Sequence, residues 1–230
     1  QVAMFAQDAI QPYTEKSLYW QYCGQPVMLI GGSVEDNLFQ IDDIEQHLDL
    51  LHSVGGNYIR CTMSSRDAGD VWPFELGDEG YDLREPSARY WTKVERCLQL
   101  CLDRDIVARV EVWDRFDFSR APWGDNPFNP KNNVNYTTEE SGLAHEYSQH
   151  PGANVQPFFY SVPAERNNEA LLPYQRLFVD TLLDCTLAFP NVLYCMDNET
   201  SGSPHWGAYW ADYIRQQARM RGLSVQTTEM

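Results

Sequence analysis

Short apolar runs of strand length alternate with amphipathic stretches of helix length along the whole chain. That alternation confines the fold to parallel strands joined by helical crossovers. Residues 18–22 and 27–30 flank Cys23-Gly24-Gln25-Pro26, a turn that leads from a short strand into a first buried strand. Ile41, Ile44, Leu48 and Leu51 recur at helical spacing and stop at Gly55-Gly56; residues 57–62 (NYIRCT) form a second strand. A loop rich in Asp, Gly and aromatics runs to Pro86, and Tyr90, Val94, Cys97, Leu98 and Cys101 mark a second helix before a third strand at 106–113. A long segment of low periodicity, 114–168, precedes a third helix bearing Leu171, Leu172, Phe178, Leu182 and Leu183. The fourth strand is NVLYCMDNE, a fourth helix spans 205–221 and ends at Gly222, and 223–230 reads as a fifth strand.

None of these strands opens a Gly-rich phosphate loop, which favours a barrel over a nucleotide-binding sheet. A (β/α)8 barrel takes eight strands and usually about 250 residues. This sequence of 230 residues stops as the fifth strand ends. The expectation is an α/β fold of TIM-barrel type with its first five strands present, residues 1–230 being a single domain truncated at the C-terminus. An open parallel sheet is the alternative.

The formal charge of −16, from 33 acidic against 17 basic residues, argues against nucleic acid or an anionic membrane surface as partner. No apolar run approaches the roughly 18 to 20 residues needed to cross a bilayer. The opening QVAMFAQDAI reads as the tail of an export signal or an arbitrary edge. Six cysteines include no Cys-x-x-Cys pair and no metal-ligand spacing with His, so neither a metal nor a cofactor is expected. Cys61 and Cys195 fall in strands, and Cys97 and Cys101 share a helix face, the pattern of buried free thiols.

In a barrel, chemistry sits at the C-terminal ends of the strands. The fourth strand ends in Asp197-Asn198-Glu199, where an amide can hold a substrate hydroxyl and a carboxyl desolvated by apolar neighbours can keep a proton for a leaving group. Arg60 in the second strand is a charge that needs a partner to be tolerated there. Glu111, alternating with Val110 and Val112, faces either the barrel interior or the helix layer. Trp113 and Asp114 end the third strand, suited to stacking on a pyranose and accepting its hydroxyls. Trp72, Trp123, Tyr160 and Trp206 fall on the same side and complete an expected aromatic rim.

The Asn198-Glu199 pair on a fourth strand, with GGNYIRCT carrying a second-strand Arg, resembles the clan A glycoside hydrolases, retaining (β/α)8 barrels that cleave sugars. The nearest likeness is to poorly characterised bacterial families that degrade polysaccharides. The resemblance implies hydrolysis of O-glycosidic bonds in a poly- or oligosaccharide by double displacement, with Glu199 as general acid/base and Arg60 orienting the nucleophile. It also implies a secreted or periplasmic protein. Glu229 in TTEM is similar to the family's nucleophile motif, yet about 30 residues after Glu199 leave room for one crossover and not three. Glu229 is therefore also read as a fifth-strand residue at the rim. The rival from another class is a non-catalytic carbohydrate-binding barrel; a lyase or isomerase barrel is a third reading.

Overall fold

The computed structural model describes residues 8–16, 18–199 and 202–229, so most of the opening decapeptide, Thr200 and Met230 lie outside the described residues. The chain begins with a small antiparallel sheet of β1 (Gln11–Pro12), β2 (Trp20–Tyr22) and β3 (Gln25–Val27). Helix α1 (Ile44–Ser53), strand β4 (Tyr58–Thr62) and the hairpin β5 (Phe74–Gly77) and β6 (Gly80–Pro86) follow. Then come α2 (Ala88–Leu102), β7 (Val107–Asp114) and the short helices α3 (Arg120–Asp125) and α4 (Thr138–Ser141). Helix α5 (Leu172–Thr186), β8 (Val192–Asn198), α6 (Pro204–Met220) and β9 (Thr227–Thr228) complete the order.

Strands β4, β7, β8 and β9 pair side by side in chain order, all parallel. Among the described residues the sheet is not closed into a ring. Its outer face carries Ile59, Cys61, Val110, Val112, Tyr194 and Met196, which join α2, α5 and α6 in one large apolar cluster. The helices present the matching stripes: Tyr90, Val94, Cys97, Leu98 and Cys101 on α2 and Trp206, Trp210 and Ile214 on α6 are all buried. Ser203 caps α6 through its side chain, Pro204 fills the first turn where no N–H is missed, and Gly222 at φ 75° follows its end. The lower inner face is plugged by a second cluster, in which Ile10 and Tyr22 from the N-terminal region meet Val107 and Leu193.

Three expectations are corrected. Residues 27–30 do not form a buried first strand: Met28 and Ile30 are more than half exposed, and the segment meets β4 through Asn57 and one parallel bridge from Gly31 to Tyr58. The stretch before Pro86 is not a loop but contains the hairpin β5–β6, whose second strand is held further by Asn135 Oδ1, which accepts from the Leu83 N–H, and by a bridge between Tyr81 and Asn133. The fifth strand shrinks to two residues, because only Thr227 and Thr228 reach ladder register with Tyr194 and Cys195.

The segment after β7 is ordered by its own amides. Asn126, Asn129, Asn132 and Asn133 each donate to backbone carbonyls within it, which satisfies polar groups that a long connection would otherwise leave unpaired. Its aromatics turn into the core: Phe118, Phe128, Phe158 and Phe159 are all buried.

Candidate functional site

Period-two alternation places Arg60 and Thr62 of β4 and Arg109 and Glu111 of β7 on the inner face of the sheet. Glu111 has no exposed surface and is gripped from both strands. Arg60 donates to it through Nε at 2.9 Å and Nη2 at 3.1 Å, Thr62 Oγ1 donates at 2.7 Å, and Arg109 Nη2 donates at 2.5 Å. Burial alone pushes this carboxyl's pKa up. The hydrogen bonds from Arg60 and Thr62 and the adjacent cations outweigh it and hold Glu111 below the ordinary carboxylate value, so it is an anion and not a proton donor. Of the two orientations open to Glu111, the inward one is found.

Above Glu111 the alternation slips in both strands. Residues 111 and 195, 113 and 197, and 114 and 198 pair in one register, while the pair between Val112 and Met196 is missing. Val112 and Trp113 both lie in the outer cluster, so Asp114 returns to the inner face. In β8, Met196 and Asp197 likewise both face the helices, and Asn198 turns in. Arg60 Nη2 then reaches Asn198 Oδ1 at 2.7 Å, and Asn198 Nδ2 lies 3.5 Å from Asp114 Oδ1. Asp114 also binds Arg66 and accepts from the N–H of Phe116, while Arg66 Nη2 reaches Asp36 Oδ2 at 2.7 Å.

Glu199 follows directly. It is exposed, sits at φ 45° in the left-handed region, and adds to the negative potential that keeps Arg60 protonated. A non-glycine residue in that region costs about 1 kcal/mol or more, and Cys23, Asp105, Arg120, Asn154 and Asn167 share it. Arg60 thus reaches from the middle of β4 to Asn198 at the C-terminal end of β8, the residue before Glu199. The sequence did not single out Arg66, Arg109 or Asp36; Arg109 was recoverable, being two residues from Glu111 on the same face.

The expected sugar-contacting rim is mostly core. Trp113 is 2 % exposed and touches Phe128, Phe158, Phe178, Trp206 and Trp210. Trp123 is buried with its indole N–H on the Ala144 carbonyl, and Trp206 is buried with its N–H on Asp197 Oδ1 at 3.1 Å. Tyr160 directs its hydroxyl to the Asn154 carbonyl and its ring to Arg166. Trp72 lines a cavity of about 20 Å³ with Asp114 and Asp117, room for about one water and too small for a sugar ring. Asp114 faces the site but is committed to Arg66. For Trp113, Trp123 and Trp206 the cause is the same: a large ring releases more free energy packed in the core than left in solvent.

Glu229 is corrected too. It follows β9 beside β8, as one crossover requires, but its carboxylate lies against Gly207 of α6 and within electrostatic reach of Arg115 and Asp197 on the outer side. It does not face Glu199 across the sheet.

A parallel sheet with crossover helices on its outer side and a small apolar plug below is part of a (β/α)8-barrel arrangement. Among solved structures, the chain is similar to a glycoside hydrolase family 5 mannosidase from Rhizomucor miehei, with TM-score 0.60 and 14% identity over 97% of this chain and 55% of that one. A family 5 glycoside hydrolase from Bacteroides vulgatus matches with TM-score 0.57 and 11% identity over 97% of this chain and 39% of the other. Endo-glycoceramidase II from Rhodococcus sp., solved with ganglioside GM3, matches with TM-score 0.52 and 17% identity over 90% and 49%. The chain therefore spans about half the length of the solved chains it matches. No protein-family model matches it, and no curated protein does.

Proposed function

We propose that this chain carries the acid/base portion of a retaining glycoside hydrolase acting on an oligo- or polysaccharide, with Glu199 as the proton donor. One observation carries the reading: Arg60 on β4 donates to Asn198 at the end of β8, the residue immediately before Glu199. The fold likeness to family 5 barrels supports it. In this reading Glu199 protonates the glycosidic oxygen as the bond to the anomeric carbon breaks. A second carboxylate about 5 to 5.5 Å away attacks that carbon, and Glu199 then takes a proton from the water that releases the sugar. Glu229 is not assigned that second role, because it faces the helix layer. Bound sugar supplies the desolvation that an exposed Glu199 lacks in the free protein. A polymeric substrate goes with a secreted or periplasmic location.

The test is Glu199→Gln in the full-length protein. Folding should be nearly unchanged, while turnover of a glycoside with a poor leaving group falls by about 10² to 10⁴. An activated aryl glycoside, which needs little protonation to depart, should lose less, and azide should restore part of the activity as a glycosyl azide of retained configuration. Full activity of the Gln variant on a natural glycoside removes Glu199 from the mechanism. The rival reading, a carbohydrate-binding barrel, rests on an aromatic rim, and the burial of Trp113, Trp123 and Trp206 counts against it.

A further inference from the structure

The outer side of the sheet holds a polar cluster that the proposed chemistry does not use. Asp197 is 1 % exposed inside a layer of aromatic rings, and Arg115 is 2 % exposed beside it. Trp206 donates its indole N–H to Asp197 Oδ1, and Arg115 Nη2 stands 3.9 Å from Oδ2. Arg115 lies over the Phe159 ring at 4.0 Å and donates through Nη1 to Asn154 Oδ1 at 2.8 Å. Its Nε and Nη2 make no hydrogen bond among the described residues. An apolar side chain in place of Asp197 would avoid the cost of burying a poorly paired charge, so the cluster is not explained by stability.

Its position in the strand supplies the explanation. Residue 197 is where the alternation of β8 slips, and regular alternation would turn Asp197 inward and Asn198 out. We infer that Asp197, anchored outward by Trp206 and Arg115, is a positioning residue that fixes the inward turn of Asn198 and the placement of Glu199. Its activity readout rests on the function proposed above. The groups facing Asp197 are Trp206 from α6, Arg115 from the turn after β7 and Glu229 after β9, with Tyr160 facing Arg115 in turn. Burial in this setting pushes the Asp197 carboxyl up to about 7, against the pull of Arg115, so its protonation is open to direct observation.

The test uses the full-length protein with Asp197→Leu, Asp197→Asn and Trp206→Phe. A tilt of the strand tip that misplaces Glu199 by about 1 Å should lower kcat on a poor-leaving-group glycoside by up to about 10²-fold. Loss on an activated aryl glycoside should be several times smaller, with KM little changed. Asp197→Asn keeps an oxygen for the Trp206 N–H and should restore most of the activity. If Asp197→Leu does not fold, Trp206→Phe carries the same comparison. Equal loss on the two substrates, which a smaller folded fraction produces, or no loss at all, overturns the proposal.

A second arm needs no substrate. The Trp206 indole and the backbone amides of Asn198 and Glu199 should titrate with one shared midpoint by NMR. Amides that stay fixed while the indole moves overturn the positioning role and leave the hydrolase reading intact. A protein whose amides follow the indole but which cleaves no glycoside retains the positioning role and loses the hydrolase reading.

Discussion

Arg60 and Asn198, 138 residues apart in the chain, are joined by a 2.7 Å hydrogen bond from a guanidinium N–H to the side-chain carbonyl. The same guanidinium holds Glu111 through two further bonds, so one side chain ties β4, β7 and β8 together on the inner face. Arginine suits this task because its planar donors fit a carboxylate and still spare an N–H.

Removing Glu111 should therefore be worse than removing Arg60. Glu111→Ala leaves Arg60 and Arg109 side by side with their shared anion gone, and is expected to cost about 3 to 5 kcal/mol. Arg60→Lys keeps a charge but loses the fork, and should cost about half as much. Urea unfolding of both variants measures this. A loss below about 1 kcal/mol for Glu111→Ala would mean the network behaves as a solvated surface pair.

Trp113 should act as core and not as a sugar platform. Trp113→Ala is expected to cost about 3 to 5 kcal/mol. Trp113→Phe preserves much of the ring packing and should leave carbohydrate affinity unaltered in calorimetry. A selective loss of affinity in the Phe variant would return Trp113 to the binding surface.

The pH dependence of stability should carry the mark of Asp197. Burial raises its folded-state pKa from 3.8 to about 7, so within that window the folded chain keeps a proton that the unfolded chain releases. This contribution is fully present below pH 3.8, is lost as pH rises toward 7, and is absent above it, with a slope of at most about 1.4 kcal/mol per pH unit. Asp197→Asn removes the titration. Denaturant midpoints at pH 5 and pH 8 should differ more in the wild type than in the variant, and identical differences would place Asp197 in solvent.

Thiol reactivity should divide sharply. All six cysteines are free; Cys61, Cys97, Cys101 and Cys195 are buried, Cys185 is half-buried and Cys23 is exposed. Burial also pushes the Cys185 thiol up to about 12, which leaves little thiolate to react. An aromatic disulfide reagent should therefore modify Cys23 first in the folded protein and all six in denaturant. Fast reaction of several thiols without denaturant would show that the α2 layer opens.

Alternating strand and helix periods were enough to determine the parallel sheet and the buried faces of α1, α2, α5 and α6, because periodicity is a local property of the chain. The placement of Asn198 and Glu199 at a strand's C-terminal end was legible for the same reason. The hairpin β5–β6 was not: its second strand is held further by Asn133 and Asn135, some 50 residues away. Nor could alternation say where Trp113 points, since the slip after Glu111 shows only when β7 and β8 lie side by side. Trp123, Trp206 and Glu229 escaped for a related reason. The sequence named residue types fit for binding sugar, but which face each side chain takes is settled by the free energy of packing rings between sheet and helices. That quantity exists only in the assembled structure.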